Sequence, residues 1–125
     1  MNSDMYQNIF DLLAEVLPEN WSKLVFMAGY TEGSYSMKYY VKTESDNYLD
    51  CFELGNIDNL QILQLFIKLD SVISPERSSL KESEKWNVLS MTVDSDGKMK
   101  TDFDYTDISN DVITYEEAWK KKYLV

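Results

Sequence analysis

Residues 86–105 constrain the fold more than any other stretch of this chain. Trp86 to Val93 reads as a strand with Leu89, Met91 and Val93 on one face. Asp94-Ser95-Asp96-Gly97 follows, the acid-and-glycine spelling of a tight hairpin turn. Lys98 to Tyr105 is the return strand. Met99, Thr101, Phe103 and Tyr105 point one way, and Lys98, Lys100, Asp102 and Asp104 the other. Successive side chains of a strand point to opposite faces, so this spelling makes one apolar and one charged face.

The rest of the chain supplies a second hairpin region and three helices. Near the N-terminus Asp4 with Gln7, or Ser3, can cap a helix whose stripe is Ile9, Phe10, Leu12, Leu13, Val16 and Leu17, ended by Pro18. Lys23 to Tyr30 is apolar on both faces, as expected of a central strand covered on two sides. Glu32-Gly33-Ser34 turns it into a strand with Tyr35, Met37, Tyr39 and Val41 on one face and Ser34, Ser36, Lys38, Tyr40 and Lys42 on the other. After Ser45-Asp46-Asn47, Tyr48 to Leu54 is predicted as a third strand. Asp58 or Asn59 caps a middle helix with Leu60, Leu63, Phe66, Ile67 and Val72 as its main apolar face, widened by Ile62, Leu65, Leu69 and Ile73. Ser74-Pro75-Glu76 reads as a fresh helix start, and residues 75–85 as a short exposed helix or a loop. Thr114 with Glu117 is a capping box, flanked by Ile113 and Ala118 as a staple. Tyr115, Ala118, Trp119 and Tyr123 form the aromatic stripe of a last helix, and Lys120, Lys121 and Lys122 suit its C-terminal dipole. The expected architecture is α+β. It has an antiparallel β-sheet built from two hairpin regions, with the N-terminal, middle and C-terminal helices packed on one of its faces. The 125 residues form one domain, 1–125.

Charge and composition narrow the function. Twelve Lys and Arg against 22 Asp and Glu leave a net charge of −10. A surface of that sign repels phosphate backbones and attracts cations, so a basic protein is a better partner than nucleic acid. The same acidity also serves solubility. The chain has no His, which removes the commonest general base and metal ligand. Its single cysteine, Cys51, cannot form an internal disulfide or a zinc cluster, and reads as a small hydrophobe on a strand. No phosphate-binding glycine loop is present, and no cofactor or metal is expected. No segment approaches the about 20 apolar residues of a membrane span. The N-terminus lacks the basic-then-apolar pattern of a signal peptide, so the expected location is the cytoplasm, away from membranes.

Two motifs invite chemistry. Fitting a calcium-binding loop to Gly97 puts Thr92 and Phe103 where coordinating acids belong, so Asp94–Gly97 is read as a turn. Asp102 and Asp104 share a strand face about 7 Å apart, a separation at which paired carboxylates can hydrolyse glycosides. Neighbouring Lys100 and the absence of an apolar pocket signal favour a solvated face or docking charges instead. Tyr40, on the mixed polar face with Lys38 and Lys42, is the candidate exposed aromatic contact.

Three blocks then fall into a recognisable order. Leu17-Pro18-Glu19-Asn20-Trp21 leads into Lys23–Tyr30 and Glu32-Gly33-Ser34. Trp86-Asn87 leads through Thr92-Val93-Asp94-Ser95-Asp96-Gly97-Lys98 to Asp102-Phe103-Asp104-Tyr105, and Trp119-Lys120-Lys121-Lys122-Tyr123-Leu124 closes the chain. Together they resemble the YezG-like immunity protein family, which includes EsaG-type antitoxins. Residues 56–85 depart from the family's pattern by being shorter and less acidic.

The resemblance implies an antitoxin of a Gram-positive bacterium. Such a protein binds the toxic C-terminal domain, often a nuclease, of a polymorphic toxin exported by type VII secretion. On this reading Asp102, Asp104 and Asp107, aided by Glu32, Glu44 and Asp46 at the hairpin ends, dock on cationic residues of the toxin. The competing readings are an adaptor or chaperone-like binder of a secreted substrate, and a small acid/base hydrolase. The wide apolar stripe of the middle helix leaves a homo-oligomer open. Phe103→Ala is expected to cost about 3–5 kcal/mol as a buried truncation.

Overall fold

The computed structural model describes residues 3–31, 33–44 and 47–124. In chain order the elements are α1 (Ser3–Ala14), β1 (Lys23–Thr31), β2 (Ser34–Lys42), β3 (Tyr48–Asp50), α2 (Asn59–Ser78), a 3-10 turn (Glu82–Glu84), β4 (Val88–Asp94), β5 (Met99–Asp104) and α3 (Val112–Tyr123). The strands form one antiparallel sheet in the order β3-β2-β1-β4-β5, an α+β architecture. β1 is its centre and its seven residues Leu24–Tyr30 are all buried. That matches a strand spelled apolar on both faces.

The helices do not share one face. Leu24, Phe26, Ala28 and Tyr30 of β1 pack with Met37, Tyr39 and Val41 of β2 and Leu89, Met91 and Val93 of β4, under α1 and α2. Val25, Met27, Tyr40 and Val88 form a second cluster on the opposite side, closed by Ile108 and by Trp119 of α3. Placing all three helices on one side is therefore corrected to two on one face and one on the other. A central strand apolar on both faces cannot leave either face in water without losing roughly 25 cal/mol per Å² of apolar burial.

α2 departs from its predicted burial. Leu60, Leu63 and Ile67 are 65%, 51% and 63% exposed, while Ile62, Leu65, Phe66, Leu69 and Ile73 face the sheet. The helix is apolar nearly all round, and it buries the stripe that offers more residues. Asp58 is its cap, in a full capping box with Gln61. The helix also runs unbroken through Pro75, so Ser74-Pro75-Glu76 starts nothing new. Pro75 cannot donate to the carbonyl of Ser71, but both residues are exposed and water can serve that carbonyl. At the helix end Arg77 lies over Tyr30 and Trp86, 5.2 and 5.7 Å from their centroids, and donates to the Trp86 carbonyl at 2.6 Å.

Two further boundaries move. β3 stops at Asp50, because its carboxylate accepts from the backbone N–H of Phe52 (2.8 Å) and Glu53 (3.0 Å) and curls the chain into a turn. Cys51 is accordingly a buried turn residue, and burial pushes its thiol up from the ordinary range. α3 begins one turn earlier than the Thr114 box: Asp111 is the cap, accepting from the Thr114 backbone N–H at 3.0 Å and its hydroxyl at 2.7 Å. A carboxylate at a helix N-terminus satisfies a free donor and favours the dipole, and here it takes the place of the threonine.

Candidate functional site

The segment from Asp102 to Glu117 holds six acids, Asp102, Asp104, Asp107, Asp111, Glu116 and Glu117, and no Lys or Arg. It comprises the end of β5, a loop and the first half of α3. The loop is pinned from both sides. Asn87 Nδ2 donates to the Tyr105 and Thr106 carbonyls at 3.1 and 2.9 Å, and Thr106 N–H donates to Asp104 at 2.9 Å. Ile108 is buried against the sheet over Gly29, where an added β-carbon would sit 3.1 Å from Ile108 Cδ1. Glycine at that strand position is what lets the loop lie down.

What remains outward is a mixed patch. Tyr105 is 58% and Ile113 72% exposed, and Asp107, Asp111 and Glu117 are exposed beside them in sequence. The Asp107 carboxyl is held below its ordinary range by the hydroxyl and backbone N–H of Ser109, and Asp111 likewise by those of Thr114. Both are therefore charged at neutral pH, on backbone that is already ordered. An anchor aromatic and an aliphatic side chain among fixed carboxylates suit a cationic protein surface, and prior ordering lowers the entropy cost of binding. Ile113, predicted as half of a staple, is instead free of the core.

The predicted site residues are scattered by comparison. Asp102 and Asp104 do not lie on a solvated face. α3 covers it, and Tyr123 and Tyr115 donate their hydroxyls to the two carboxylates at 3.1 and 2.7 Å. Tyr40 is buried, not exposed, with its ring 5.7 Å from Trp119. The mixed polar spelling of its strand face hid the fact that a helix sits on top, and burial first, then nearby Glu116, pushes its hydroxyl up to about 12. Asp107 is exposed in the pinned loop. Glu44 is exposed beyond the far end of β2, a nine-residue strand, about 27 Å from the Gly33 turn beside which Asp107 sits. Glu32 and Asp46 lie outside the described residues. Among the described residues, Glu44 thus does not share one continuous acidic face with Asp107. Tyr105 and Ile113 were missed because alternation and capping patterns assigned both to packing; the available signal was the long run of acids without a base.

The cavity between β5 and α3, about 330 Å³, is lined by Ser90, Asp102, Asp104, Tyr115, Trp119 and Tyr123 among others. Partial burial pushes the Asp104 carboxyl up, but hydrogen bonds from Tyr115 and Thr106 and the nearby Lys122 more than offset this and hold it below its usual range. A general acid needs the opposite shift. Trp119 Nε1 donates to the buried Ser90 hydroxyl at 2.8 Å, so the cavity's polar groups serve to seat α3. Among the described residues no group of three or more His, Cys, Asp or Glu is placed to hold a metal ion, and no helix is long and apolar enough to cross a membrane.

A family model described as immunity protein YezG-like matches residues 2–125. The chain is also similar to the immunity protein YezG of Bacillus subtilis (strain 168), at 24% identity over 130 residues that cover 97% of this chain and 86% of that relative. The order of blocks noted in the sequence, the α+β fold that joins them and a match running over nearly the whole length agree, and the chain belongs to the YezG-like immunity protein family.

Proposed function

We propose that this immunity protein neutralises the toxic C-terminal domain of a secreted polymorphic toxin by stoichiometric binding, and that the toxin is a nuclease with a basic surface. The observation that carries the reading is the pinned segment 105–117, where Tyr105 and Ile113 stand exposed among Asp107, Asp111 and Glu117. A nuclease binds phosphates through cations, and an inhibitor that offers carboxylates and apolar anchors competes for the same surface. The net charge of −10 steers capture over distances near the Debye length, so added salt slows association. The setting that follows is the cytoplasm of a Gram-positive cell whose toxin leaves by type VII secretion. Neither a cofactor nor direct contact with nucleic acid has a role.

The test is co-expression of the toxin domain encoded beside this gene, with growth and DNA integrity as readouts. Rescue by the wild type, weakened by Asp107→Lys with Asp111→Lys and by Tyr105→Ala, is the expected result. Full rescue by all these variants moves the contact elsewhere on the surface. A complex without any toxicity to relieve favours an adaptor or chaperone-like binder, whose loss would not poison the cell.

A further inference from the structure

β5 is the last strand of the sheet, so one side of it is open. Which backbone groups face outward follows from the ladder. Asp94 N–H donates to the Lys98 carbonyl and Ser95 N–H to the Ser22 carbonyl, both at 3.0 Å. With the register of the two ladders, the even residues of β4 therefore bond to β5 and the odd ones to β1. Lys98, Lys100, Asp102 and Asp104 thus point their N–H and C=O groups inward. Met99, Thr101 and Phe103 point theirs out of the sheet, where no described residue meets them.

Charged side chains on an edge ordinarily discourage pairing, and a run of one sign does so. Here the order is Lys98, Lys100, Asp102, Asp104, which changes sign across Thr101. We propose that this edge is the site of self-association, β5 of one copy pairing antiparallel with β5 of a second copy about a two-fold axis through Thr101.

In that register Lys98 faces the partner's Asp104 and Lys100 the partner's Asp102, so every charge on the α3 side meets its opposite. On the other side Met99 faces the partner's Phe103 and Thr101 faces its own copy. The hydrogen-bonding pairs are then Met99 with Phe103 and Thr101 with Thr101, which are the residues whose backbone groups are free. Sliding by two residues in either direction keeps the hydrogen bonds but sets Lys100 against Lys100 or Asp102 against Asp102. Only the Thr101-centred register satisfies both the backbone and the charges, and cross-strand pairs are what select a register. Lys98 and Lys100 are exposed and, among the described residues, have no ion-pair partner within the chain. Asp102 uses one carboxylate oxygen for Tyr123 and keeps the other for the partner's lysine. Met99, also exposed, gains cover from the partner's Phe103. The pairing uses residues 98–104 and leaves Asp107, Asp111 and Ile113 outside it, so it stands independently of which toxin is bound.

Sedimentation velocity of the full chain between about 1 and 500 μM, the range in which a small interface dissociates, tests the proposal. A reversible dimer weakened by salt is expected. Lys98→Asp with Lys100→Asp sets like charges opposite one another at every charged cross-strand position and should weaken it at least about tenfold. Thr101→Pro removes the central outward N–H, a change an edge strand tolerates, and should weaken it as much. Circular dichroism verifies that both variants remain folded. A wild type that stays monomeric throughout, or a dimer that survives both variants, overturns the proposal. Loss of the dimer in Leu63→Glu but not in these variants does so too, and moves the contact to the exposed stripe of α2.

Discussion

The face under α1 and α2 and the face under α3 cover the same sheet, yet different interactions hold them. Beneath α1 and α2, Ile9, Leu13, Ile62, Leu69 and Ile73 are fully buried against Leu24, Phe26, Tyr39, Leu89 and Met91. Polar ties there are few: Tyr30 Oη donates to Asp70 at 2.8 Å, and Arg77 Nε to the Trp86 carbonyl at 2.6 Å near the end of α2. Beneath α3, Trp119 is the helix's one buried residue, and the contacts around it are directional: Tyr115 to Asp104, Tyr123 to Asp102, Trp119 to Ser90. Apolar burial gives free energy without direction, whereas hydrogen bonds fix position but contribute about 1 kcal/mol each. The first face therefore holds the fold, and the second sets where α3 and the acidic loop before it stand.

Phe26→Ala should break the comparison most visibly, costing about 3–5 kcal/mol in urea unfolding. A loss under about 1 kcal/mol would mean that the α1/α2 face is not the dominant core. Phe103 faces the same cluster and stacks 5.4 Å from Trp86, but it is only partly buried at the sheet edge. Its truncation should cost about 2 kcal/mol, below the value expected from sequence, since the transfer loss scales with the area removed from water.

The α3 face adds a pH dependence. A carboxyl held lower in the folded protein than in the unfolded chain stabilises fully above its unfolded value, about 3.9, and stops doing so as pH falls through the folded value. Asp104 is such a group, as are Asp107 and Asp111, so acid should loosen the α3 face first. Asp104→Asn should cost about 1–2 kcal/mol at neutral pH and flatten the melting-temperature curve from about one unit above the unfolded value to about two units below it. If hydrogen exchange shows α1 opening before α3 at low pH, the polar pairs do not carry that face. The smallest effect belongs to Leu63→Gln on the exposed stripe of α2, within about 0.5 kcal/mol by thermal melting. A larger loss would show that this stripe is covered in solution.

The hairpin of residues 86–105 was legible almost to the residue, because period-two spelling and an Asp-Gly turn are local signals that tertiary context rarely overrides. β1 was equally plain, since apolar residues on both faces admit only a central strand. Tyr40 was not legible. One tyrosine between Lys38 and Lys42 looks wet in one dimension, and only α3, some 75 residues further along the chain, makes that spot dry. The cover over Asp102 and Asp104 was hidden for the same reason, since the tyrosines that donate to them belong to α3. The loop at Tyr105 was half legible: its acids stood in the sequence, but the pins that turn Tyr105 outward come from Asn87 and from Ile108 over Gly29.

Periodicity determined which residues of this protein share a face, and turn and cap chemistry determined where most elements begin and end. Both follow from interactions within a few residues. Which of two apolar stripes α2 buries, which side of the sheet α3 takes and which carboxylates stay in water were decided only by the tertiary structure. Those choices depend on how much surface distant segments can exclude from water together, a quantity no local window of the chain contains.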